Sequence, residues 1–385
     1  MKFLIIYSKP ICYNSLEFFT DTMAEALRNL GHQVDSLTSF DKPERFIPYF
    51  DKEYDRIIDF NSNLPLMKMD DGSPVLSHLK GRFYNYLLEH PLHHHKVLSV
   101  TNVEQNVICI DRKHVEYVRT YYPHIREAIF LPVGSMPGDP KKIKPIRGRN
   151  IAVFFPGTYT STNWATAKMA VMPPELKQEL IWLYEKMRDD YTLELPDALK
   201  QYAQEQMHLT IPDDEMAEYV HRHFLADTFI CAYVRDRVIR ALLEAHIPVT
   251  VCGGGWQEFD DPNNQYLIIL PAKDYEAALE MTYDAKILLN VMPHFKDGMH
   301  DRVLTAMSHG AVCVTDATDY IRENFTDDRD LILYDLQHLS ELPRVIAEYL
   351  EDENQLQKIA EAAGYAVSNN FTWEKLLTES ELCRE

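Results

Sequence analysis

Short apolar runs, each followed by a polar loop and a stretch of helical periodicity, repeat along most of the chain. Residues 2–7 form a buried-type strand. A helix is predicted over 15–30, where Phe18, Met23, Ala26 and Leu27 recur near helical spacing, and Gly31 ends it. Strands follow at 33–37, 55–60, 83–88, 107–110 and 128–131, with a helix opening at Asp111 and running through Tyr121. The next stretch, 135–149, reads S-M-P-G-D-P-K-K-I-K-P-I-R-G-R and has no periodicity. Its proline, glycine and basic content is that of a linker, which puts a domain boundary near residue 148. A second alternation starts with a strand at 151–155 and the exit loop P-G-T-Y-T-S-T-N. Residues from about 173 to 224 read as helical and strand-free, in three segments that each begin with proline and acidic residues. The sheet pattern then resumes: a helix around 235–245, strands at 249–252 and 266–270, and a helix over 275–285. Strand 287–291, helix 301–309 and strands 311–315 and 331–334 follow, then two helices to about 366 and an amphipathic tail helix. Such alternation predicts an α/β chain of two tandem Rossmann-like domains, 1–148 and 149–366, with a helical insertion in the second and a tail, 367–385.

Composition narrows the class. A length of 385 residues suits two domains with separate cores, and 46% apolar with 25% charged residues is ordinary for a soluble globular protein. The formal net charge of −20 argues against a broad basic surface for nucleic acid or anionic membrane. The apolar run at the N-terminus is too short for a signal segment, and no run reaches the 18 or more residues of a membrane span. Six cysteines show no C-x-x-C pairing, and Cys109, Cys252 and Cys313 fall inside predicted strands, so they read as free thiols in a reducing cytoplasm.

The chemistry concentrates in L-N-V-M-P-H-F-K-D-G-M-H-D-R-V-L-T-A-M-S-H-G-A-V-C-V-T-D, residues 289–316, one strand–loop–helix–strand unit. Open α/β sheets bind ligands at the carboxyl ends of their strands, where this unit places its polar residues. Arg302 falls in the first turn of the helix, where a cation is disfavoured by roughly 0.3–1 kcal/mol. Either Asp301, as N-cap or N1, offsets that cost, or Arg302 and the helix N–H groups together face an anion such as a phosphate. Gly157 and Thr158, after the first strand of the second domain, would likewise allow phosphate to approach the backbone, or form a plain turn. Arg235, Arg237 and Arg240 cluster near a predicted helix start, for a phosphate or for salt bridges to Asp236 and Glu244. The run H-P-L-H-H-H, with His90, His93, His94 and His95, invites a metal reading, but adjacent histidines do not converge on one ion as an i, i+4 pair does. His90, at a strand end, suits a general base, with Asp111 and His114 as weaker candidates and a helix N-cap as the plain role of Asp111.

Several motifs recur in an order that resembles glycosyltransferases of the GT-B fold: a strand into Gly157-Thr158-Tyr159, an Arg-bearing helix, a strand into G-G-G-W, A-K-D-Y-E-A-A-L-E-M before A-K-I-L-L-N-V-M, and D-R-V-L-T-A-M-S-H-G-A-V-C-V-T-D. More narrowly the chain is similar to the group-1-like transferases that include the spore-maturation (CgeB-type) proteins, specifically over about 230–373 and loosely at E-H-P-L-H-H-H, I-C-I-D-R-K-H-V-E-Y-V and L-P-V-G. The resemblance implies a nucleotide-diphosphate-sugar donor, UDP-linked by preference, held in the second domain. The acceptor, whose identity stays open, would bind in the first domain, and the tail helix would cross back to it. No metal or other cofactor is required in such enzymes. It places Gly254, Gly255 and Trp256 against the nucleotide base, with Trp256 at the rim, and Asp274 and Tyr275 in the loop that contacts the base. Their plain alternatives are an N-cap for Asp274 and a core ring for Tyr275. His294, Lys296, Asp297, His300, Asp301 and Arg302 would lie over the diphosphate and sugar, with Lys296 and Arg302 neutralising charge on the leaving diphosphate. The chain departs from the two glutamates of many retaining members: Asp297 and Thr305 hold those positions, so neither retention nor inversion follows. A nucleotide-sugar epimerase or hydrolase, or a non-catalytic protein that keeps the fold, are the alternative functions.

Overall fold

The computed structural model describes residues 1–8, 12–39 and 42–384. The chain divides into two compact units, Met1–Gly134 with Asn370–Glu385, and Ser135–Asn369. The first contains β1 (Lys2–Tyr7), α1 (Ser15–Asn29), β2 (Gln33–Thr38), β3 (Glu53–Phe60), β4 (Lys80–Leu87), α2 (His95–Leu98), β5 (Asn106–Cys109), α3 (Arg112–Tyr121) and β6 (Ala128–Phe130). The second opens with β7 (Ile151–Pro156) and a run of helices: α4 (Thr162–Ala170), α5 (Pro174–Asp189), α6 (Leu195–Tyr202), α7 (Asp213–Arg222) and α8 (Phe224–Glu244). It continues with β8 (Val249–Cys252), β9 (Leu267–Leu270), α9 (Tyr275–Thr282), β10 (Ala285–Leu289), α10 (Asp301–Ser308), β11 (Val312–Asp316), α11 (Asp319–Asn324) and β12 (Ile332–Tyr334). Helices α12 (Leu342–Glu351) and α13 (Glu353–Asn370) precede the last, α14 (Trp373–Glu379).

Each sheet has six strands, ordered β2-β1-β3-β4-β5-β6 and β12-β11-β10-β7-β8-β9, and the strand pairs in both are parallel. The runs Phe3–Ile6 and Val153–Phe155 are fully buried, as strands covered on both faces must be. Numbered within its own domain, the second sheet has the order 3-2-1-4-5-6 and the first 2-1-3-4-5-6, both doubly wound. The direction of winding reverses between β1 and β3 in one sheet and between β7 and β10 in the other. In doubly wound sheets the loops leaving such strands run to opposite faces, and ligands bind between them at the carboxyl edge.

Two parts of the second unit differ from the reading of the sequence. Helix α8 is one helix of 21 residues, so Arg235 lies in its middle and not near its start. Residues 224–234 are mostly apolar, with Leu225, Ala226, Ile230, Ala232 and Val234 all buried, and only His223 separates them from α7, so no proline or glycine marks the true beginning. Helix α4 begins inside the expected exit loop because Ser161 caps it, accepting a hydrogen bond from the Asn163 backbone N–H at 3.2 Å. Residues 135–149, linker-like in composition, belong to the second unit. Their anchor is Arg149, 3% exposed, whose guanidinium donates to the carbonyls of Lys144, Thr282, Ala285 and His309 at 2.9–3.3 Å. Gly310 makes room for it: at φ +73° it closes α10, and a Cβ there would stand 2.6 Å from Arg149 Nη2.

Within the first unit α14 packs on α1. Trp373 Nε1 donates to Thr22 Oγ1 at 3.1 Å, Asn29 Nδ2 donates to Glu374 at 3.0 Å, and Gly134 lies so close that a Cβ would be 2.5 Å from the Trp373 ring. Among the described residues no helix is long and apolar enough to cross a membrane.

At the winding reversal of the first sheet, Asp59, the penultimate residue of β3, is fully buried. Its Oδ2 accepts from Ser8 Oγ at 2.6 Å and Ser62 Oγ at 2.5 Å, while among the described residues Oδ1 has no hydrogen-bond partner. Burial raises this carboxyl from 3.8 to about 7 against the lowering effect of the two serines. The folded state therefore binds the proton more tightly than the unfolded chain, and stability falls as pH rises from the ordinary carboxyl range toward 7. Asp59→Asn, which keeps an acceptor but cannot ionise, is expected to remove that part of the pH dependence. Urea midpoints of both proteins across this range measure it; parallel curves would refute it.

Candidate active site

The second unit builds its site from the loops at its own winding reversal. After β7 the chain turns through Gly157 and Thr158, and the Gly253-Gly254-Gly255 loop after β8 lies flat against it. Gly157 N–H donates to the Cys252 carbonyl and Tyr159 N–H to the Gly254 carbonyl, both at 2.9 Å. A Cβ at Gly253 would stand 2.4 Å from the Gly157 oxygen, and one at Gly255, whose φ is +82°, 2.0 Å from the Tyr159 oxygen. Gly253 and Gly255 thus present their bare backbone to protein. Trp256 is likewise not at a rim: it is fully buried, donates from Nε1 to the Gly157 carbonyl at 2.7 Å, and packs against Phe155, Tyr159 and Phe259. The indole needs a partner for its one N–H when buried, and the Gly157 carbonyl supplies it. Tyr159 is fixed in turn by its hydroxyl, which donates to Asp236 Oδ1 at 2.8 Å, while Arg240 clamps Asp236 and Asp261. Arg240 is thereby a salt-bridge residue, and Arg237 is exposed.

Over this platform two arginines converge. Arg235 Nη1 donates to the Thr158 carbonyl at 2.5 Å, and Arg302 Nη2 would be 3.7 Å from a Cβ at Gly157. Their guanidinium carbons lie 5.5 and 5.4 Å from the Phe155 ring centroid, at cation–π range. Burial, and then the Arg302 charge, lower Arg235 to about 10. Among the described residues Arg235 Nε is buried with no hydrogen-bond partner. Arg302 Nη1 donates to the neutral amide oxygen of Asn290 at 2.8 Å. Two like charges held together beside a half-buried glycine and an exposed threonine favour an anion between them.

Helix α10 presents its N-terminus here. His300 is its N-cap, and its Nδ1 stands 2.6 Å from Asp301 Oδ1 and 3.3 Å from the Arg302 backbone N–H. Contact at 2.6 Å with an ionised carboxylate requires the proton on Nδ1, so His300 donates to Asp301 and that nitrogen no longer accepts from the Arg302 N–H. Tyr275 donates to Asp301 Oδ2 at 2.9 Å. Burial works to raise Asp301, but His300, Arg302 and Tyr275 prevail and hold it at about 2. Burial, then Arg302, lowers His300. Asp301 thus organises the first turn and offsets the cost of Arg302, while Arg302 points back to Gly157.

The other candidates divide. Lys296 Nζ is turned away to the carbonyls of Tyr191, at 2.5 Å, and Pro293, at 2.7 Å, so the diphosphate role expected for it meets an ammonium already held by the chain. His294 faces Cys231 and Asp227 on α8. Asp274 is exposed and caps α9 by accepting from the Ala277 N–H at 2.9 Å. Thr305 is 4% exposed within α10, and Asp297 is partly buried in the loop before it. His90 belongs to the first unit, where it is 7% exposed, accepts from the Leu92 N–H at Nδ1, and stacks edge-on with His114 and Tyr117. Asp111 caps α3 through the Lys113 N–H at 2.7 Å. Two residues escaped the sequence. Asn290 is fully buried and aims Arg302, and Asp316, buried at the end of β11, accepts from the Met292 N–H at 2.9 Å and is raised by burial to about 6. A polar residue closing an otherwise apolar strand was the available signal for both.

Residues 235–381 match the family described as glycosyl transferase-like. Among solved structures, HepE of Anabaena in complex with UDP and glucose is 13% identical, with 98% of this chain and 97% of that one covered and a TM-score of 0.53. Sucrose-phosphate synthase from Thermosynechococcus elongatus is 12% identical over 98% and 96%, TM-score 0.56, and an alpha-glucosyltransferase in complex with UDP is 11% identical over 98% and 98%, TM-score 0.57. No curated protein matches the sequence. These likenesses establish the fold: two Rossmann-like domains of the GT-B class.

Proposed function

We propose that this chain is a glycosyltransferase that takes a hexose from a nucleotide-diphosphate sugar, UDP-linked, and passes it to a hydroxyl acceptor. The observation that carries the reading is the pair Arg235 and Arg302 set over Gly157–Thr158 at the winding reversal of the second sheet. A diphosphate lodged there would take its charge neutralisation from two guanidinium groups and from the first N–H groups of α10. The chemical step breaks the bond between the anomeric carbon and the diphosphate oxygen, and the charge that develops on that oxygen falls where the arginines are fixed. This supplies leaving-group stabilisation without requiring a metal on the diphosphate. The UDP complexes of HepE and of the alpha-glucosyltransferase support a UDP donor. Kinship with the spore-maturation proteins rests on motif order in the sequence, and the free thiols Cys109, Cys231, Cys252, Cys313 and Cys383 suit a cytoplasmic site of action.

The test is thermal stabilisation of the full chain by UDP and UDP-hexoses, followed by UDP release with candidate acceptors. Stabilisation by UDP and sugar-dependent UDP release are expected. Release that no acceptor accelerates would point instead to hydrolysis or epimerisation, and no stabilisation by any nucleotide diphosphate would sink the proposal.

A further inference from the structure

One group of ligating side chains in the second unit is left unused by this chemistry. Asp227 and Cys231 stand four residues apart on α8 and so share one helix face. The loop after β10 brings His294 against them, with Nδ1 2.6 Å from Cys231 Sγ and 3.5 Å from Asp227 Oδ2. The three ligand atoms all lie within 4.8 Å of one another. We propose that Asp227, Cys231 and His294 form a binding site for a zinc-class transition-metal ion that ties the loop after β10 to α8.

The donor set argues for that class. A thiolate, an imidazole and a carboxylate are the ligands a borderline-soft divalent ion takes, and magnesium or calcium would want oxygens in place of the sulfur and nitrogen. Bonds of about 2.0–2.3 Å hold tetrahedral ligands roughly 3.3–3.8 Å apart. The Asp227–His294 spacing already meets that, and Cys231 Sγ reaches it by swinging about 1 Å away from the imidazole, a side-chain rotation. Three protein ligands leave a fourth position for water. As the metal–sulfur bond forms, the Cys231 thiol gives its proton to solvent, so the site gains one positive charge, and the carboxylates of Asp227 and Asp316 offset it. Lys296 and Arg235, the nearby cations, are engaged with the Tyr191 and Thr158 carbonyls. Cys231 stands one helical turn before Arg235, and His294 lies eight residues before Arg302, so the ion fixes the helix that carries one arginine to the loop that leads to the other. It acts as a positioning element, and its binding is tested without reference to any sugar donor.

Full-length protein stripped with a chelator is titrated with Co²⁺. The expected result is one tight equivalent with a sulfur-to-cobalt charge-transfer band, strong visible bands of tetrahedral geometry, and displacement by Zn²⁺. Cys231→Ser is expected to abolish the charge-transfer band and to weaken cobalt binding at least about 100-fold, since even outer-shell changes cost up to that much. His294→Ala, at a partly buried side chain, weakens binding while keeping the band. A wild-type protein without the band, a band that survives Cys231→Ser, or His294→Ala with unchanged affinity overturns the proposal. Should Cys231→Ser fail to fold, the His294→Ala titration decides alone.

Discussion

Arg302→Ala is expected to slow turnover of the sugar nucleotide about 100- to 1000-fold, mostly in kcat, the loss typical when one fixed donor to developing transition-state charge is removed. In the proposed reaction the diphosphate is more negative at its leaving oxygen in the transition state than in the bound donor, so a guanidinium aimed there acts on the rate more than on binding. Arg302 is well placed for this because its direction is set twice. Asn290, itself bonded to Thr315 Oγ1 at 3.0 Å, holds Nη1, and the Phe155 ring supports the guanidinium carbon. Arg302→Lys keeps the charge but loses the planar fork and the ring contact, and is expected to recover only part of the rate. Arg235→Ala should cost less than the sum would suggest when combined with it, because each removal relieves the repulsion on the other. The check is steady-state UDP release with a urea midpoint measured beside it. A kcat within a few-fold of wild type, at unchanged stability, would remove Arg302 from the mechanism.

The fold was legible in the chain because a parallel sheet buried on both faces writes itself as uninterrupted apolar runs, and Phe3–Ile6 and Val153–Phe155 are such runs. Arg302 was legible for the opposite reason, a cation where the helix dipole disfavours one. What the sequence hid is long-range. Nothing local says that the glycines after β8 are bare because the Gly157–Tyr159 backbone presses on them, since a ligand would impose the same requirement. Arg149 looked like one base of a basic linker, although four carbonyls from three separate stretches surround it. The start of α8 was obscured because a helix packed on most sides loses its polar stripe. Lys296 was assigned because the resemblance puts its loop over the diphosphate, but a flexible side chain goes where a carbonyl awaits it, and that of Tyr191 comes from the turn between α5 and α6.

Trp256→Ala should destabilise the second unit by about 3–5 kcal/mol, the range for emptying a buried aromatic site. Trp256 is fully buried, and its neighbours are rings that cannot collapse into the space without disturbing the loops they hold: Phe155 under both arginines, Tyr159 on Asp236, and Phe259, over whose ring Arg240 lies at 4.5 Å. Trp256→Phe separates packing from polarity. It refills most of the volume, but the Gly157 carbonyl loses the indole N–H, and a buried carbonyl left unsatisfied costs about 1–3 kcal/mol. That carbonyl is one peptide from Thr158, whose own carbonyl holds Arg235, so relaxation of the turn displaces one of the two arginines. Trp256→Phe is therefore expected to stay folded at the growth temperature yet to bind UDP more weakly. Urea unfolding followed by tryptophan-independent circular dichroism, with UDP affinity by calorimetry, resolves the two effects. Full UDP affinity in Trp256→Phe would show that the indole braces the core alone and leaves the Gly157–Thr158 turn to hold its own shape.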